Sequence, residues 1–535
     1  MLPNWKRRLI PKWRDSKITA KLPEALPIVK KYGRVYNFLS GDNQQNIKIL
    51  TEEWRNNKSL GGAANLLSFG HVTKLHPLLV EPAQYIVDRS QHVPQHLCKF
   101  AQVIIGKNVD KISPQLIVEQ TQQFYHYASL LKQRLLTNPR DAITLVDLAR
   151  IYSSLGQNNK AKRAIITAVS LYPDHRFILR SASRFFIHND ETERALYILN
   201  QSERTKHDPW LMATHISIST ILERPQKLIR KVKTLIKLGN MNPIHMSELC
   251  GSLGTVQMID GNNKEARRNF NKALTLPNDN TVAQAVWMAQ YYDLTITTKK
   301  DWFLDPISSE ARYYQCDLLG DFEAALIAAL EWHLDEPFSS YPAIAAVYTA
   351  SILEKYEDAE KYARSALQLH HNDTNLKGNL VFTLAAQNKI ELAESLLLEV
   401  IHIERQQDGD ISPQSIANLG MLMYRTGDFV EGEKLYRAAI EWYGKKQDFF
   451  RKSIAMAFLA KEATLANAPN ADNLKKEAMD ILKQSHSKSA EKILASFNCI
   501  NLMNNKLPLI KPTKWRYDKD RNLIILPNRL PFSER

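Results

Sequence analysis

Glycine is scarce in these 535 residues, at 18, and few segments show the alternation of half-buried strands. Both absences favour an all-helical chain. The four cysteines, Cys98, Cys250, Cys316 and Cys499, lie far apart with no CxxC. That spacing argues against a zinc site and against a disulfide framework. No apolar run approaches the roughly 18 residues of a membrane-spanning helix. The opening MLPNWKRRLIPKWRD has no apolar core of signal-peptide length after its basic residues. A cytoplasmic protein in a reducing compartment, without a transmembrane segment, is the expectation.

Catalytic motifs are missing as well. SLGGAANLLSFG, residues 59 to 70, is the only glycine cluster. It lacks the GK[ST] ending of a phosphate-binding loop, and no strand precedes it, so it reads as a tight helix–helix contact. There is no HExxH, no GxSxG and no kinase set, and His370 and His371 sit where a solvated turn is expected. The expectation is therefore no enzyme, no metal and no cofactor, with an unrecognised terminal catalytic domain as the remaining alternative.

What is present is a length too great for one compact core, in a composition that is 44% hydrophobic and 24% charged, ordinary for a folded protein. The net charge of +15 sits at the ends. Residues 1 to 34 carry ten Lys/Arg against Asp15 and Glu24, and residues 499 to 535 carry eight against Asp518, Asp520 and Glu534. The ends thus hold +8 and +5, leaving +2 for the body.

A period in the thirties then becomes visible. Counting Ala142 as the first position of a 34-residue unit places Leu145, Leu148, Ala149 and Tyr152 at positions 4, 7, 8 and 11. Gly156, Ala161, Ile165, Ala168 and Pro173 fall at 15, 20, 24, 27 and 32. The same ruler fits from Arg176, Ser247, Pro306, Ser340, Thr374 and Pro413. In the last window, ANLGMLMYRTGDFVEG puts Gly420 at position 8, which Ala149 fills in the first. Gly427 falls at position 15, in the turn, where a backbone angle forbidden to most residues is useful.

This pattern resembles the tetratricopeptide repeat, in which two antiparallel helices pack through small residues at positions 8, 20 and 27. The resemblance implies an all-α, right-handed α-solenoid with degenerate helical caps at both ends. The expected organisation is a basic, tryptophan-containing segment 1–34, a helical region 35–107 and a solenoid 108–445 with a helical insertion 281–305. Capping helices 446–505 and a basic tail 506–535 complete it. Segment 207–244 reads as helical but degenerate.

The resemblance also implies a concave groove lined by positions 2, 5, 9 and 12 of the first helices, which binds a partner peptide or helix. Those positions supply Arg150, Arg180 and Arg184 early, then Tyr314, Tyr341, Tyr348 and Phe382, then Met421 and Tyr424. Aromatic and arginine side chains are the usual anchors of interfaces. The competing reading is that rings at helical spacing are simply core. Position 5 carries Val146, Arg180, Gly251 and Glu310, so the family's chaperone-binding clamp of lysines and asparagines is absent.

The tails offer a further reading. Lys6, Arg7, Arg8, Lys12 and Arg14, with Lys514 and Arg516, interleave with tryptophan and could hold nucleic acid or an acidic partner. Trp5, Trp13 and Trp515 could instead anchor the tails on the solenoid while the charges stay solvated. RPQKLIRKVKTLIK from Arg224 has a packed stripe of Leu228, Val232, Leu235 and Ile236 and a basic outer face. The leading function is a protein-interaction scaffold. A nucleic-acid-associated scaffold, as in a bacterial defence or mobile-element system, is the alternative.

Overall fold

In the computed structural model, the described residues are 13, 51–52, 54–73, 76–90, 98, 101–102, 104–105, 115–225, 227–239, 243–292, 296, 299, 309–485 and 487–496. The backbones of 516–518 and 523–525 are also described. The chain is an all-α solenoid of helix pairs. Before the repeats come α1 (Leu60–Thr73), α2 (Val80–Val87) and α3 (Gln115–Thr137). The pairs follow as α4 (Ala142–Ser154) with α5 (Asn158–Leu171), and α6 (Arg176–His188) with α7 (Thr192–Gln201). Next are α8 (Pro209–Ile221) with α9 (Ile229–Leu238), and α10 (Pro243–Ile259) with α11 (Asn263–Ala273). A single helix, α12 (Asp279–Tyr292), precedes α13 (Ser309–Leu319) with α14 (Phe322–Asp335).

Then come α15 (Tyr341–Ile352) with α16 (Tyr356–Leu367), α17 (Thr374–Ala386) with α18 (Ile390–Asp408), and α19 (Pro413–Arg425) with α20 (Phe429–Lys445). Helices α21 (Phe449–Leu465), α22 (Ala471–Ser485) and α23 (Lys488–Ala495) complete the array.

Local chemistry fixes where these helices start. Asp141, Asp373 and Ser412 accept hydrogen bonds from the backbone N–H of Thr144, Leu376 and Ser415, closing first turns that would otherwise leave donors unpaired. Pro209 and Pro413 occupy first-turn positions, where the missing N–H costs nothing.

The turn between paired helices is the most regular feature of the fold. Its residue at position 15 has a positive φ in all seven units counted from the sequence: Gly156, Asp190, Gly261, Gly320, Glu354, Asn388 and Gly427. The next residue donates its N–H to the carbonyl five residues back, as Gln157 does to Tyr152 at 2.8 Å and Lys389 to Leu384 at 2.9 Å. That bond with a left-handed residue is a Schellman ending. Segment 207–244 has the same turn, with Glu223 at φ 55° and Arg224 bonded to Ser219 at 2.9 Å. Its repeat letters have decayed while its helix pair has not.

Close packing through small residues is equally direct. A Cβ placed on Gly420 would lie 2.9 Å from a Tyr436 ring carbon and 3.0 Å from the Gly432 carbonyl oxygen. One placed on Gly432 would lie 2.7 Å from the Tyr424 ring and 3.0 Å from the Gly420 carbonyl. Positions 8 and 20 of this unit therefore face each other across α19 and α20 with no room for a methyl group.

By compactness the chain divides into two units. The first comprises Pro3–Tyr314 and Ile327–Pro342, and the second comprises Met1–Leu2, Gln315–Leu326 and Ala343–Arg535. Strand pairing occurs once among the described residues, within the sequence read as a tail. There β1 (Arg516–Asp518) and β2 (Leu523–Ile525) pair antiparallel, with Tyr517 opposite Ile524.

Candidate functional site

The first helices of the pairs carry the residues expected to line a groove. In the first unit, Arg176 donates to Asp208 at 2.6 Å, and Arg204 donates to the same carboxylate at 3.1 Å. One turn along α6, Arg180 grips Glu248 of α10 with two hydrogen bonds, at 2.6 and 2.9 Å. Its guanidinium lies 4.6 Å from the ring centroid of Trp210, on the intervening α8. Asn278 donates to the same Glu248 at 2.8 Å.

Beneath this pair, the indole N–H of Trp210 donates to His245 Nδ1 at 3.2 Å. Burial pushes His245 down to about 4, and the nearby Arg176 charge acts the same way. Another turn along α6, Arg184 lies 3.7 Å from Glu336, which also accepts from the indole of Trp332 at 2.7 Å. Trp332 packs against Tyr313 and Tyr314 at about 6.0 Å between centroids.

These contacts change the expected chemistry of the early repeats. Arg150 and Arg184 are buried, and Arg180 is largely covered by its partners. The expectation is that these arginines line the groove as interface anchors. Arg180 and Arg184 instead face the protein's own carboxylates, because an unpaired buried charge would cost several kcal/mol, roughly. Tyr314 is also core, while Tyr341 is half-buried.

In the second unit, Met421 and Tyr424 are enclosed, with Tyr424 stacked on Phe429 at 5.8 Å and tilted against Tyr436 at 6.4 Å. Tyr348 and Phe382 are half-buried, as Tyr341 is. The hydroxyl of Tyr348 is enclosed beside Ser489 of α23, and burial drives its ionisation far above the usual range. Phe382 meets Phe458 of α21 edge-on at 4.8 Å and Tyr356 at 6.5 Å. Thus α21 and α23 take up part of the surface beside these two rings.

A charged cluster borders them. Lys461 pairs with Glu354 at 2.5 Å, and Arg425 holds Glu462 at 2.6 and 2.9 Å while reaching Asn388 at 3.1 Å.

Reading the repeats missed Glu248, Trp210, Glu336 and Phe458. Glu248 is position 2 of the unit at Ser247, so the same positional rule could have found it. Trp210 lies in the unit whose letters have decayed, and Phe458 lies on a helix taken as a cap. Of the tail residues, Lys6, Arg7, Arg8, Lys12, Arg14 and Lys514 lie outside the described residues, as does the side chain of Arg516. Trp13, by contrast, is 1% exposed and packs against Phe185 and Phe338.

Among the described residues, no three His, Cys, Asp or Glu side chains are grouped to hold a metal ion. No described helix is long and apolar enough to cross a membrane.

A family profile described as the tetratricopeptide repeat matches residues 142–175. No curated protein sequence matches the chain. Among solved structures, the chain is similar to one titled "Crystal Structure of the Yeast Tom70", at 13% identity and a TM-score of 0.33. That similarity covers 87% of this chain and 99% of the other.

Proposed function

Because the chain is a solenoid of tetratricopeptide repeats, we propose that it works as a scaffold seating a partner's helix or extended segment beside Tyr348 and Phe382. One observation carries this reading. Along the row expected to line the groove, the early arginines are sheltered or ion-paired and Met421 and Tyr424 are enclosed. In the second unit only Tyr348 and Phe382 of that row keep exposed surface. Partly exposed rings on a preformed helical frame lose little ordering entropy on binding. The partner they suit presents apolar anchors.

The test is affinity capture from the native host with the wild-type chain and with Phe382→Leu, each with and without nuclease. Leucine keeps apolar volume while removing the ring. A nuclease-resistant partner captured by the wild type, and lost by a variant of unchanged melting temperature, supports the reading. Partners that disappear with nuclease would transfer the primary contact to nucleic acid and overturn it.

A further inference from the structure

Exposed basic residues on the helices of this protein commonly have a carboxylate one turn away. Lys434 pairs with Glu431, Arg364 with Glu360, Arg437 with Glu433 and Lys483 with Asp480. Helix α9 differs. Residues 224 to 247 hold six Lys/Arg and no Asp or Glu, in a body whose net charge is only +2. Arg224 is met by Glu193 at 2.5 Å. Lys227, Arg230, Lys233 and Lys237 are exposed, and no carboxylate among the described residues pairs with them.

The packing of the helix turns these charges outward. Val232 is buried in one cluster with Met212 and Ile216 of α8 and Leu249 of α10, and Leu228 and Leu235 pack against it. Arg230, Lys233 and Lys237, spaced by three and four residues, share the side turned away from Val232. Lys231 lies on the flank, where it donates to His207 Nδ1 at 3.4 Å. The acids of the adjoining elements are already engaged, Glu203 by Lys206 at 2.7 Å and Glu248 by Arg180. Cations one turn apart weaken a helix. The row therefore costs α9 stability, and no carboxylate among the described residues offsets that cost.

We propose that the outward face of α9, carried by Arg230, Lys233 and Lys237, is a contact surface for the phosphate backbone of nucleic acid, held without regard to base sequence. Arg230 to Lys237 covers about 10 Å of helix, over which one strand of a duplex presents about three phosphates, one for each cation. An acidic protein segment would call for an apolar or aromatic centre. On α9 only Thr234 and Leu238 are exposed beside the cations. A membrane surface would call for the apolar stripe, which the packing on α8 and α10 already covers. The lack of exposed rings on α9 also leaves no platform for stacking bases, so the contact is with phosphates alone. The assignment is independent of the Tyr348–Phe382 reading, since α9 belongs to the first unit and those rings to the second.

The test is fluorescence anisotropy with the purified full chain and short labelled duplexes of two unrelated sequences. Both should bind equally, with an affinity that falls steeply as salt rises. The triple variant Arg230→Gln, Lys233→Gln, Lys237→Gln keeps helix-forming residues at exposed positions. At about 0.15 M salt each lost phosphate contact weakens binding about five-fold, so this variant should bind at least about ten-fold more weakly, with a salt slope shallower by about 2–3. A control triple, Lys434→Gln, Lys445→Gln, Lys483→Gln, removes the same charge from ion-paired sites and should bind as the wild type does. Loss of the like-charge row should leave the α9 variant's melting temperature at or above the wild-type value. No binding by the wild type, an unchanged affinity in the α9 variant, equal weakening in both triples, or a lowered melting temperature overturns the proposal. So does tighter α9-dependent binding of a polyglutamate peptide, or of vesicles containing anionic lipid, than of either duplex. That result would assign the face to an acidic protein or to a membrane.

Discussion

Arg180 and Glu248 stand 68 residues apart in sequence and meet through two hydrogen bonds of 2.6 and 2.9 Å, with only 14% and 4% of their side chains exposed. Breaking such a pair strands a charge, whereas removing both members together does not. Glu248→Met alone should cost about 3–5 kcal/mol, and Arg180→Met with Glu248→Met should recover most of it. Thermal melts of the two variants check this. Equal losses in both would show that the pair contributes packing and not charge compensation.

Glycine in a helix interior ordinarily costs about 1 kcal/mol against alanine. At Gly432 the sign should reverse, because a methyl group would collide with the Tyr424 ring and the Gly420 carbonyl. Gly432→Ala should lower the melting temperature. Gly444→Ala, whose nearest neighbours are Lys452 side-chain atoms at 3.9 Å, should raise it slightly. A stabilised Gly432→Ala would mean the two helices are further apart than described.

Gln447 is exposed and carries a φ of 55°. Replacing it with glycine relieves the clash of its Cβ with the carbonyl, worth about 1 kcal/mol in that conformation. Gln447→Gly should therefore stabilise a segment that glycine would destabilise almost anywhere else in a helix. Denaturant unfolding gives the direction.

Phe382 and Phe458 can be tested as a pair. Edge-to-face rings at this separation typically couple by about 0.5–1.5 kcal/mol beyond the area they bury. A double-mutant cycle with Phe382→Ala and Phe458→Ala should return a coupling in that range. Zero coupling would show that Phe458 lends Phe382 no support beyond its buried area.

His245 makes a prediction about acid. Its folded-state value, pushed down to about 4, lies below the ordinary 6.5, so the unfolded chain takes up a proton before the folded one does. Stability from this group should be complete above about 6.5 and should fall as the pH drops towards 4, by at most about 3 kcal/mol. His245→Gln should flatten the slope of melting temperature against pH across that window. An unchanged slope would assign the acid sensitivity elsewhere.

The repeat itself was legible because its determinants are local. A small residue at position 8 faces another at position 20, and a left-handed residue at position 15 closes the turn, all inside 34 letters. Glu223 shows the limit of that reading, since its turn keeps the angle without the glycine that announces it. The pairing of the groove residues was not legible. Arg180 finds its carboxylate two helix pairs further on, and Phe382 finds Phe458 on a helix outside the counted units. A ruler that reads one repeat at a time has no register for such partners. The short hairpin has a local signal of its own, the turn-forming DKDRN between RY and the apolar LII.

The Lys461–Glu354 pair has a mechanical meaning. In a simple stack each repeat touches its neighbours alone, so the array can peel from an end one pair at a time. Here a strut runs from the turn after α15 to α21, skipping the two helix pairs between them. Pulling on the C-terminal end loads that strut before the intervening pairs can separate. The second unit should resist slow peeling and then yield in one step, like a coil whose turns have been soldered together.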